Sequence, residues 1–420
     1  MKQFLIISIL SFSFSPLFSQ NIAGNWKGII HANGNEIPID LHFKNDNGKI
    51  DGTWDSPSQN SMGQSFSGIN VKGDSVRLDV ESVQGFYEGK FVGNDSIAGT
   101  WHQNGGEAPL GFSRSLENGV SKTVLSYPDE KEISITSAGG SPLYGTLLSK
   151  NNKQKLAIII AGSGPTDREG NNPLGNKINS YEMLAHALDS QNIATFRYDK
   201  RGIAKSAVQN FKESDLVFDD YIRDAEKIYD YFHDTLGFKN IYFIGHSEGS
   251  LIAMVASQKK KVKGYISLAG AGRPIDVIIE EQINKQPLPD SVKNKIPLLF
   301  KELKEGKIVD TFPIILYPLF HKSIQPYMIS WMKYSPENEI KKLNCPILIL
   351  QGSCDVQIDL ADAENLHKGN KKSTLDIVPL MTHTLKDAGK NCEGQQKTYT
   401  DGTLPLDKSL VNDIVNFIKA

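Results

Sequence analysis

Hydrophobic and polar positions follow two different patterns along the chain, and the change between them falls near residue 120. From residue 20 to 120, short runs such as Ile37–Phe43 and Val76–Val80 alternate apolar and polar side chains. Such alternation is typical of half-buried antiparallel strands, and the Gly, Asn, Asp and Ser residues between the runs favour tight turns. Residues 20–120 are therefore predicted to form a small all-β domain, a meander or a barrel.

A short motif that ends in tryptophan occurs three times in this domain, at Gly24–Trp26, Gly52–Trp54 and Gly99–Trp101. Aromatic residues on strands usually face inward, so we interpret the three tryptophans as core residues. The alternative is a carbohydrate-binding platform, which would require the three rings to be exposed.

Residues 121–420 have a different pattern. Two runs, Glu132–Thr136 and Leu143–Leu148, predict a hairpin that opens the domain. Leu156–Ile160 is continuously apolar, as expected for a strand buried on both faces of a sheet. Further apolar runs alternate with amphipathic segments, which predicts an α/β fold with a mostly parallel sheet. The further predicted strands are 193–198, 241–244, 262–268, 346–350 and 373–378, and the predicted helices are near 184–188 and at 218–232, 251–257, 361–367 and 410–418.

The alternation stops between about residues 273 and 342. This segment is too long for one crossover, and it contains helical patterns such as Leu298–Leu303. We interpret it as a helical cap inserted after the sixth strand of the domain.

Length and charge restrict the class of protein. At 420 residues the chain exceeds the size at which one hydrophobic core usually stops growing, which favours two domains. Its 46 Lys and Arg residues nearly balance its 48 Asp and Glu residues, so no overall field favours nucleic acid or an anionic membrane. Nucleic acid is not expected as a partner, and the sequence leaves the oligomeric state open.

Residues 1–19 have the layout of a secretory signal peptide. Lys2 precedes an apolar run from Phe4 to Leu17, and we place cleavage after Ser19. A buried helix is the alternative, but Pro16 would break it. A lipid-anchored protein would require a cysteine at the cleavage site, and none stands near it. No later segment has the ~20 apolar residues that span a bilayer. The mature protein is expected to be secreted or periplasmic, without a transmembrane segment.

The chemistry of the chain is indicated first by Gly245-His246-Ser247-Glu248-Gly249. This G-x-S-x-G pentapeptide directly follows a predicted strand and precedes a predicted helix. In that context the glycines allow a sharp turn that exposes the serine hydroxyl, and the helix N-terminus favours developing negative charge. Ser247 is therefore predicted to be a nucleophile, against the alternative of a structural turn.

A serine nucleophile requires a base and an acid, and in hydrolases whose serine lies in such a strand-to-helix turn the chain order is serine, acid, histidine. Of the three histidines after residue 250, His321 falls in the cap and His367 in a predicted helix. His383 lies in a loop beyond the eighth strand and is predicted to be the base. Asp355 follows the seventh strand and is predicted to orient His383, with Asp359 as the alternative.

Two backbone N–H groups are needed to bind the oxyanion. We expect them from Glu248, which follows the nucleophile, and from Ser163, in the Gly-rich loop after the third strand. A phosphate-binding loop is the alternative for Ala161–Pro165, but the lysine and Ser/Thr of a P-loop are absent. Neither a metal ion nor an organic cofactor is required by this chemistry.

The chain contains three cysteines. In an oxidising compartment Cys354 and Cys392 could form a disulfide between the segments that carry Asp355 and His383, and two free thiols remain the alternative. Cys345 begins an apolar run and is interpreted as a buried structural residue.

Four motifs in this order resemble those of the α/β-hydrolase superfamily, and more narrowly those of secreted bacterial esterases similar to the serine aminopeptidase-like group. The motifs are Ala161–Arg168, Arg197–Gly202, Gly245–Gly249, and Asp355 with His383. The resemblance covers about residues 125–420 and is specific for the fold but not for the substrate. In such families the turn after the fourth strand is structural. Here Ala204 stands where that turn often has glycine, and this departure is expected to cost little.

The expected function is that of a carboxylesterase acting on a small-molecule ester or acylated substrate through an acyl-enzyme on Ser247. A serine aminopeptidase would share every catalytic part, with Glu248, Glu280 or Glu281 binding the substrate amine. A third possibility, a secreted glycan-binding protein with an inactive hydrolase domain, is disfavoured because all three predicted catalytic residues are present.

Overall fold

The computed structural model describes residues 21–32, 35–46, 49–56, 61–103, 105–115, 129–150, 154–172, 177–208 and 211–420. The chain divides into two compact units, residues 1–122 and 123–420. The predicted signal peptide lies outside the described residues. Among the helices of the described part, none is long and apolar enough to cross a membrane.

The described residues of the first unit form a nine-stranded antiparallel sheet. The strand order is β4-β3-β2-β1-β9-β8-β7-β6-β5, so the chain runs as a meander whose first and last strands pair with each other. An antiparallel meander was the arrangement expected from the period-two pattern. The strands are β1 (Gly24–Ala32), β2 (Asn35–Asp46), β3 (Lys49–Ser56), β4 (Ser61–Ser65), β5 (Gly68–Lys72), β6 (Ser75–Val80), β7 (Gly85–Phe91), β8 (Ser96–Gln103) and β9 (Gly106–Arg114).

The tryptophans of the first unit belong to its core. Trp26 is fully buried and donates its indole N–H to the carbonyl of Ile22 at 2.8 Å. Trp54 is also buried, and Trp101 is half-buried against the same apolar cluster. An exposed row of three rings is therefore not present, which removes the carbohydrate platform considered from the sequence.

The second unit contains a mixed eight-stranded sheet in the order β10-β11-β13-β12-β14-β15-β16-β17. The β10–β11 and β11–β13 pairs are antiparallel, and the other pairs are parallel. The strands are β10 (Glu130–Thr136), β11 (Pro142–Leu148), β12 (Lys155–Ile160), β13 (Ala194–Tyr198), β14 (Asn240–His246), β15 (Gly264–Leu268), β16 (Ile347–Gly352) and β17 (Thr374–Val378).

Helices follow most of these strands, and a group of helices separates β15 from β16. A five-residue π-helix, Tyr231–Thr235, continues α2. The helices are α1 (Ser180–Asp189), α2 (Phe218–Asp230), α3 (Glu248–Ser257), α4 (Ile275–Asn284), α5 (Asp290–Lys293), α6 (Ile296–Lys304), α7 (Tyr317–Phe320), α8 (Gln325–Trp331), α9 (Pro336–Ile340), α10 (Leu360–Gly369), α11 (Gln395–Thr400) and α12 (Lys408–Lys419), with short 3₁₀ turns at Glu81–Val83, Ala204–Ser206, Glu213–Asp215, Ile314–Leu316 and Lys390–Cys392.

The central strand β12 shows why the sheet is apolar on both faces. Successive side chains of a strand point to opposite faces. Leu156, Ile158 and Ile160 belong to one core cluster, and Ala157 and Ile159 belong to the other. All five are buried, as the continuous apolar run predicted. The two layers hold the sheet rigid, so the loops at the carboxyl ends of its parallel strands start from fixed positions.

Candidate active site

Ser247 lies in a strained turn between β14 and α3. Its φ of 53° and ψ of −121° place a non-glycine residue at positive φ. Such strain persists only where the surrounding structure enforces it, and it is found mostly at functional sites. Because Ser247 has this conformation, α3 begins at Glu248, three residues before the start of the predicted helix 251–257.

The two glycines of the pentapeptide are required by close backbone contacts. A Cβ atom on Gly245 would lie 2.2 Å from the carbonyl oxygen of Gly249, and one on Gly249 would lie 2.2 Å from that of Ile160. A side chain at either position would push the turn away from the sheet. The Ser247 N–H donates to the carbonyl of Leu268 at 2.9 Å, which anchors the turn to β15.

The predicted acid and base are in contact. Nδ1 of His383 lies 2.8 Å from Oδ2 of Asp355, and both side chains are almost fully buried. Oδ1 of Asp355 accepts the backbone N–H groups of Gln357 at 2.8 Å and Ile358 at 3.0 Å. Burial raises the pKa of Asp355, but His383 and these hydrogen bonds outweigh it, so the pKa lies below its ordinary value. Asp355 is therefore held as a carboxylate that orients the imidazole.

A fourth residue of this group was missed by the sequence analysis. Gln351, at the buried end of β16, donates its amide N–H to Oδ2 of Asp355 at 3.0 Å and to the carbonyl of Ile358 at 3.1 Å. It therefore supports the carboxylate from the side opposite the two backbone donors. Its position four residues before Asp355, at the end of an otherwise apolar strand, is the signal that could have identified it.

The alternative acid and bases have other partners. Asp359 caps α10, where its Oδ1 accepts the N–H of Ala361 at 3.0 Å. Nδ1 of His321 lies 2.9 Å from the hydroxyl of Ser323 in the helical insertion, and Nδ1 of His367 lies 2.9 Å from that of Ser373. These contacts leave Asp355 and His383 as the acid and base that the structure brings together.

The two predicted oxyanion donors lie on either side of the nucleophile. A Cβ built on Gly162 would lie 3.2 Å from Cβ of Ser247, so the loop that carries Ser163 passes directly beside the nucleophile. Among the described residues, neither the Ser163 N–H nor the Glu248 N–H has an acceptor within the protein. The Gly162 N–H is excluded as a donor because it is bonded to Tyr181 Oη at 3.1 Å.

His246 links the nucleophile turn to the histidine loop. Its Nε2 lies 2.8 Å from the carbonyl oxygen of His383, which can only accept, so Nε2 carries the proton. Its Nδ1 then accepts from the hydroxyl of Tyr181 at 2.8 Å. Burial, with the nearby His383 ring, lowers the pKa of His246 to about 3. His246 is therefore a neutral structural imidazole that binds the His383 backbone directly and the Gly162 loop through the hydroxyl of Tyr181.

This buried imidazole predicts a loss of stability in mild acid. Between pH 6.5 and about 3 the unfolded chain binds a proton at His246 that the folded chain does not, so the free energy of unfolding falls as the pH falls. We expect His246 to contribute a loss of about 2 kcal/mol between pH 7.5 and pH 5, measured by urea unfolding. A His246→Gln variant should show a smaller pH difference. An equal pH difference in the variant would assign the acid sensitivity to other groups.

The side chain of Glu248 is buried and paired with a cation. Its Oε1 lies 2.7 Å from the ammonium of Lys200, and both side chains are no more than 2% exposed. The carboxylate of Glu281 is likewise paired with Arg273 and Lys285, each at 2.8 Å. The expectation that Glu248 meets a substrate amine is therefore wrong, because its charge is already neutralised within the core.

The turn after β13 is held by a buried ion pair. Nη2 of Arg168 lies 2.6 Å from Oδ2 of Asp199, and the Arg168 N–H donates to Oδ1 at 2.8 Å. This pair ties the loop after β12 to the turn, as the structural role of the motif implied. Ala204 has φ of 43°, in the left-handed region. Its place in that turn therefore costs about 1–2 kcal/mol relative to glycine, more than the sequence comparison suggested.

Cys354 and Cys392 form a disulfide, with Cα atoms 5.6 Å apart and a separation of 38 positions along the chain. The bond tethers the residue just before Asp355 to the loop beyond His383. Cys345 is a free thiol, half-buried rather than fully buried, and burial raises its pKa to about 11. No group of three or more metal-ligating side chains occurs within the described ranges.

Removal of the disulfide should destabilise the chain. For a loop of this length the chain-entropy model gives a loss of about 4 kcal/mol in the free energy of unfolding. The test is urea unfolding of a Cys354→Ser, Cys392→Ser double variant beside the wild type, with Cys345→Ser as the matched control that keeps the bond. Equal stability of the double variant and the control would show that the bond does not stabilise the folded chain relative to the unfolded chain.

Comparisons with known proteins were made for the whole chain. The profile of a family described as serine aminopeptidase, S33, matches residues 173–309, a segment that includes Ser247 but neither Asp355 nor His383. Esterase EstD of Thermotoga maritima is 25% identical over 285 residues. The match covers 65% of this chain and 64% of EstD, so the chain spans just under two thirds of that relative's length.

Solved esterase structures are similar to 69% of the chain. Est1E from Butyrivibrio proteoclasticus, solved with ferulic acid, is matched over 100% of its length with 19% identity and a TM-score of 0.46. The esterase Pf2001 of Pyrococcus furiosus is matched over 89% of its length with 14% identity and a TM-score of 0.45.

Proposed function

We propose that the chain is an α/β hydrolase, and specifically a serine carboxylesterase that acts through an acyl-enzyme on Ser247. The proposal rests on two observations, the contact of 2.8 Å between His383 and the Asp355 carboxylate and the strained strand-to-helix turn that holds Ser247. The 25% identity with esterase EstD supports an ester as the substrate class.

In the proposed reaction, His383 Nε2 takes the proton of the Ser247 hydroxyl as Oγ attacks the ester carbonyl carbon. The N–H groups of Ser163 and Glu248 bind the oxyanion of the tetrahedral intermediate. As the intermediate collapses, the C–O bond to the alcohol breaks and His383 gives its proton to the departing alcohol. The same histidine then takes a proton from water as the water oxygen attacks the acyl-enzyme. The acid is released, and the proton returns to Ser247.

We further propose that the helical insertion covers the substrate site as a cap. Gln282 of α4 donates its amide N–H to the carbonyl of Gln357 at 2.9 Å. Since Gln357 itself donates to Asp355, the insertion is connected to the loop of the catalytic acid. A cap in this place would determine which acyl and alcohol groups are admitted.

An aminopeptidase is the second candidate, because the matching family profile is described as serine aminopeptidase. Such an enzyme needs a carboxylate that is free to bind the substrate's ammonium. Glu248 and Glu281 are already paired with cations, and Glu280 remains as the glutamate considered from the sequence. The carboxylesterase is therefore the better supported function.

The experiment that tests the function compares acetyl to octanoyl p-nitrophenyl esters with aminoacyl p-nitroanilides. The purified chain is assayed beside a Ser247→Ala blank, and chromophore release is followed. Ester turnover that requires Ser247 is the expected result. Anilide turnover with little ester turnover would establish the aminopeptidase, and no turnover together with no labelling of Ser247 by a fluorophosphonate would reject a serine hydrolase.

We also propose that the protein is secreted or periplasmic. The disulfide between Cys354 and Cys392 supports an oxidising compartment, because such bonds rarely persist in the cytosol. When a bacterial host exports the full chain, the intact mass of the product should be that of a chain that begins at Gln20. A cytosolic product that retains Met1 would contradict this location.

A further inference from the structure

One buried lysine contacts both segments that carry the proposed oxyanion donors. Nζ of Lys200 lies 2.6 Å from the carbonyl oxygen of Gly162 and 2.7 Å from Oε1 of Glu248. Its side chain is 1% exposed and lies over the ring of Tyr221, with Nζ 4.7 Å from the ring centroid. No step of the proposed reaction uses this ammonium, so its burial beside the nucleophile needs another explanation.

The contact with Gly162 determines the direction of a donor. The Gly162 carbonyl and the Ser163 N–H belong to the same planar trans peptide group, in which C=O and N–H point in opposite directions. An ammonium that holds the oxygen therefore holds the N–H on the other side of the plane. The positive charge also draws electron density toward the oxygen, which makes the Ser163 N–H a stronger donor.

The second contact reaches the other donor. Glu248 supplies its own N–H at the first position of α3, and its carboxylate is bound by the same ammonium. Rotation of the Glu248 backbone would break this bond within the core, where an unpaired charge is costly. One cation thus fixes two segments, the loop after β12 and the start of α3, that are far apart in the chain.

We propose that Lys200 is a positioning residue that holds the Ser163 and Glu248 N–H groups in the geometry of the oxyanion hole. This inference rests on the proposed serine hydrolase function. The simpler alternative is that Lys200 only neutralises the buried carboxylate of Glu248. The positioning role and the neutralising role differ in the effect expected when the charges of Lys200 and Glu248 are removed together. No carboxylate is then left to neutralise, but the Gly162 carbonyl has still lost its partner.

The experiment compares four variants of the full chain. Lys200→Met removes the clamp, Glu248→Gln keeps an acceptor for the lysine, and the Lys200→Met, Glu248→Gln double variant leaves no buried charge to destabilise the fold. Lys155→Met is the matched control, because Lys155 Nζ also binds a main-chain carbonyl, that of Ile418 at 2.6 Å, at the amino end of β12. The readouts are kcat and KM for the best ester and the rate at which a fluorophosphonate labels Ser247.

The expected result is that the double variant has a kcat and a labelling rate about 10²-fold below those of Glu248→Gln, with KM changed less than threefold. Glu248→Gln alone should lose no more than about tenfold, and Lys155→Met should keep the wild-type kcat. Equal rates for the double variant and Glu248→Gln would overturn the proposal and leave Lys200 as a neutralising charge. A loss confined to KM would overturn it as well.

The labelling rate separates this inference from the proposed function. Attack of Ser247 Oγ on the phosphorus of a fluorophosphonate, which displaces fluoride, develops negative charge on the phosphoryl oxygen and needs the same N–H donors, but it requires no ester substrate. If Ser247 of the wild-type chain is labelled but no ester is hydrolysed, the carboxylesterase proposal is contradicted. The labelling rates of the variants then still test the positioning role of Lys200. A wild-type chain whose Ser247 does not label would reject both.

Discussion

Replacement of His383 by alanine is expected to lower kcat for ester hydrolysis by about 10⁶-fold, because Ser247 then has no base to remove its proton and the alcohol has no acid to protonate it. The imidazole is 2.8 Å from Asp355 and almost fully buried, so bulk solvent is a poor substitute. The carbonyl of residue 383, which accepts from His246, remains in the variant. The measurement is kcat with a p-nitrophenyl ester, together with fluorophosphonate labelling.

The control for this prediction is alanine at the two other histidines that follow residue 250. His321 and His367 are bonded to serine hydroxyls in other parts of the structure, so their alanine variants should keep kcat within about threefold, as for substitutions away from the site. Circular dichroism of each variant checks that it is folded. Full activity of a folded His383→Ala variant would show that the base has been assigned to the wrong residue.

Replacement of Asp355 by asparagine is expected to lower kcat by about 10⁴-fold, because it reverses the tautomer of His383. The N–H groups of Gln357 and Ile358 both donate to Oδ1 of Asp355, so they will select the amide oxygen for that position. The amide NH₂ then faces His383 Nδ1, which must accept. The proton moves to Nε2, and the imidazole can no longer take the proton of Ser247.

Asp359→Asn provides a matched control with the same chemical change four residues away. Asp359 caps α10 by accepting the N–H of Ala361, and asparagine caps helices about as well as aspartate. This variant should keep both kcat and stability. The pH dependence of kcat/KM for Asp355→Asn gives a second readout. A loss in Asp359→Asn that equals the loss in Asp355→Asn would contradict the assignment of the acid.

The sequence alone was sufficient to predict most of the strands and helices and to name the candidate catalytic residues, because both depend on local patterns. The continuous apolar run at Leu156–Ile160 predicted a strand buried on both faces, and β12 is that strand. The pentapeptide around Ser247 predicted a turn between strand and helix. The order of Asp355 and His383 after the seventh and eighth strands was enough to propose their contact.

Local patterns could not show which polar side chains pair inside the core. Glu248 was considered a ligand for a substrate amine, yet it is bound to Lys200 from a turn 48 residues earlier. Tyr181 and His246 support the site in the same way, through bonds that join several elements. A buried polar group must find a partner wherever the fold provides one, and its position in the chain does not name that partner.

The disulfide, too, was determined partly by the sequence and partly by the tertiary structure. The sequence limited the choice to Cys354 with Cys392 or two free thiols, and the tertiary structure decided it by placing their Cα atoms 5.6 Å apart. The strand pattern and the chain order of Ser247, Asp355 and His383 were thus determined by the sequence itself. The partner of each buried charge, including the contacts of Lys200 with Glu248 and the Gly162 carbonyl, was decided only in three dimensions, because these contacts join segments that no local period connects.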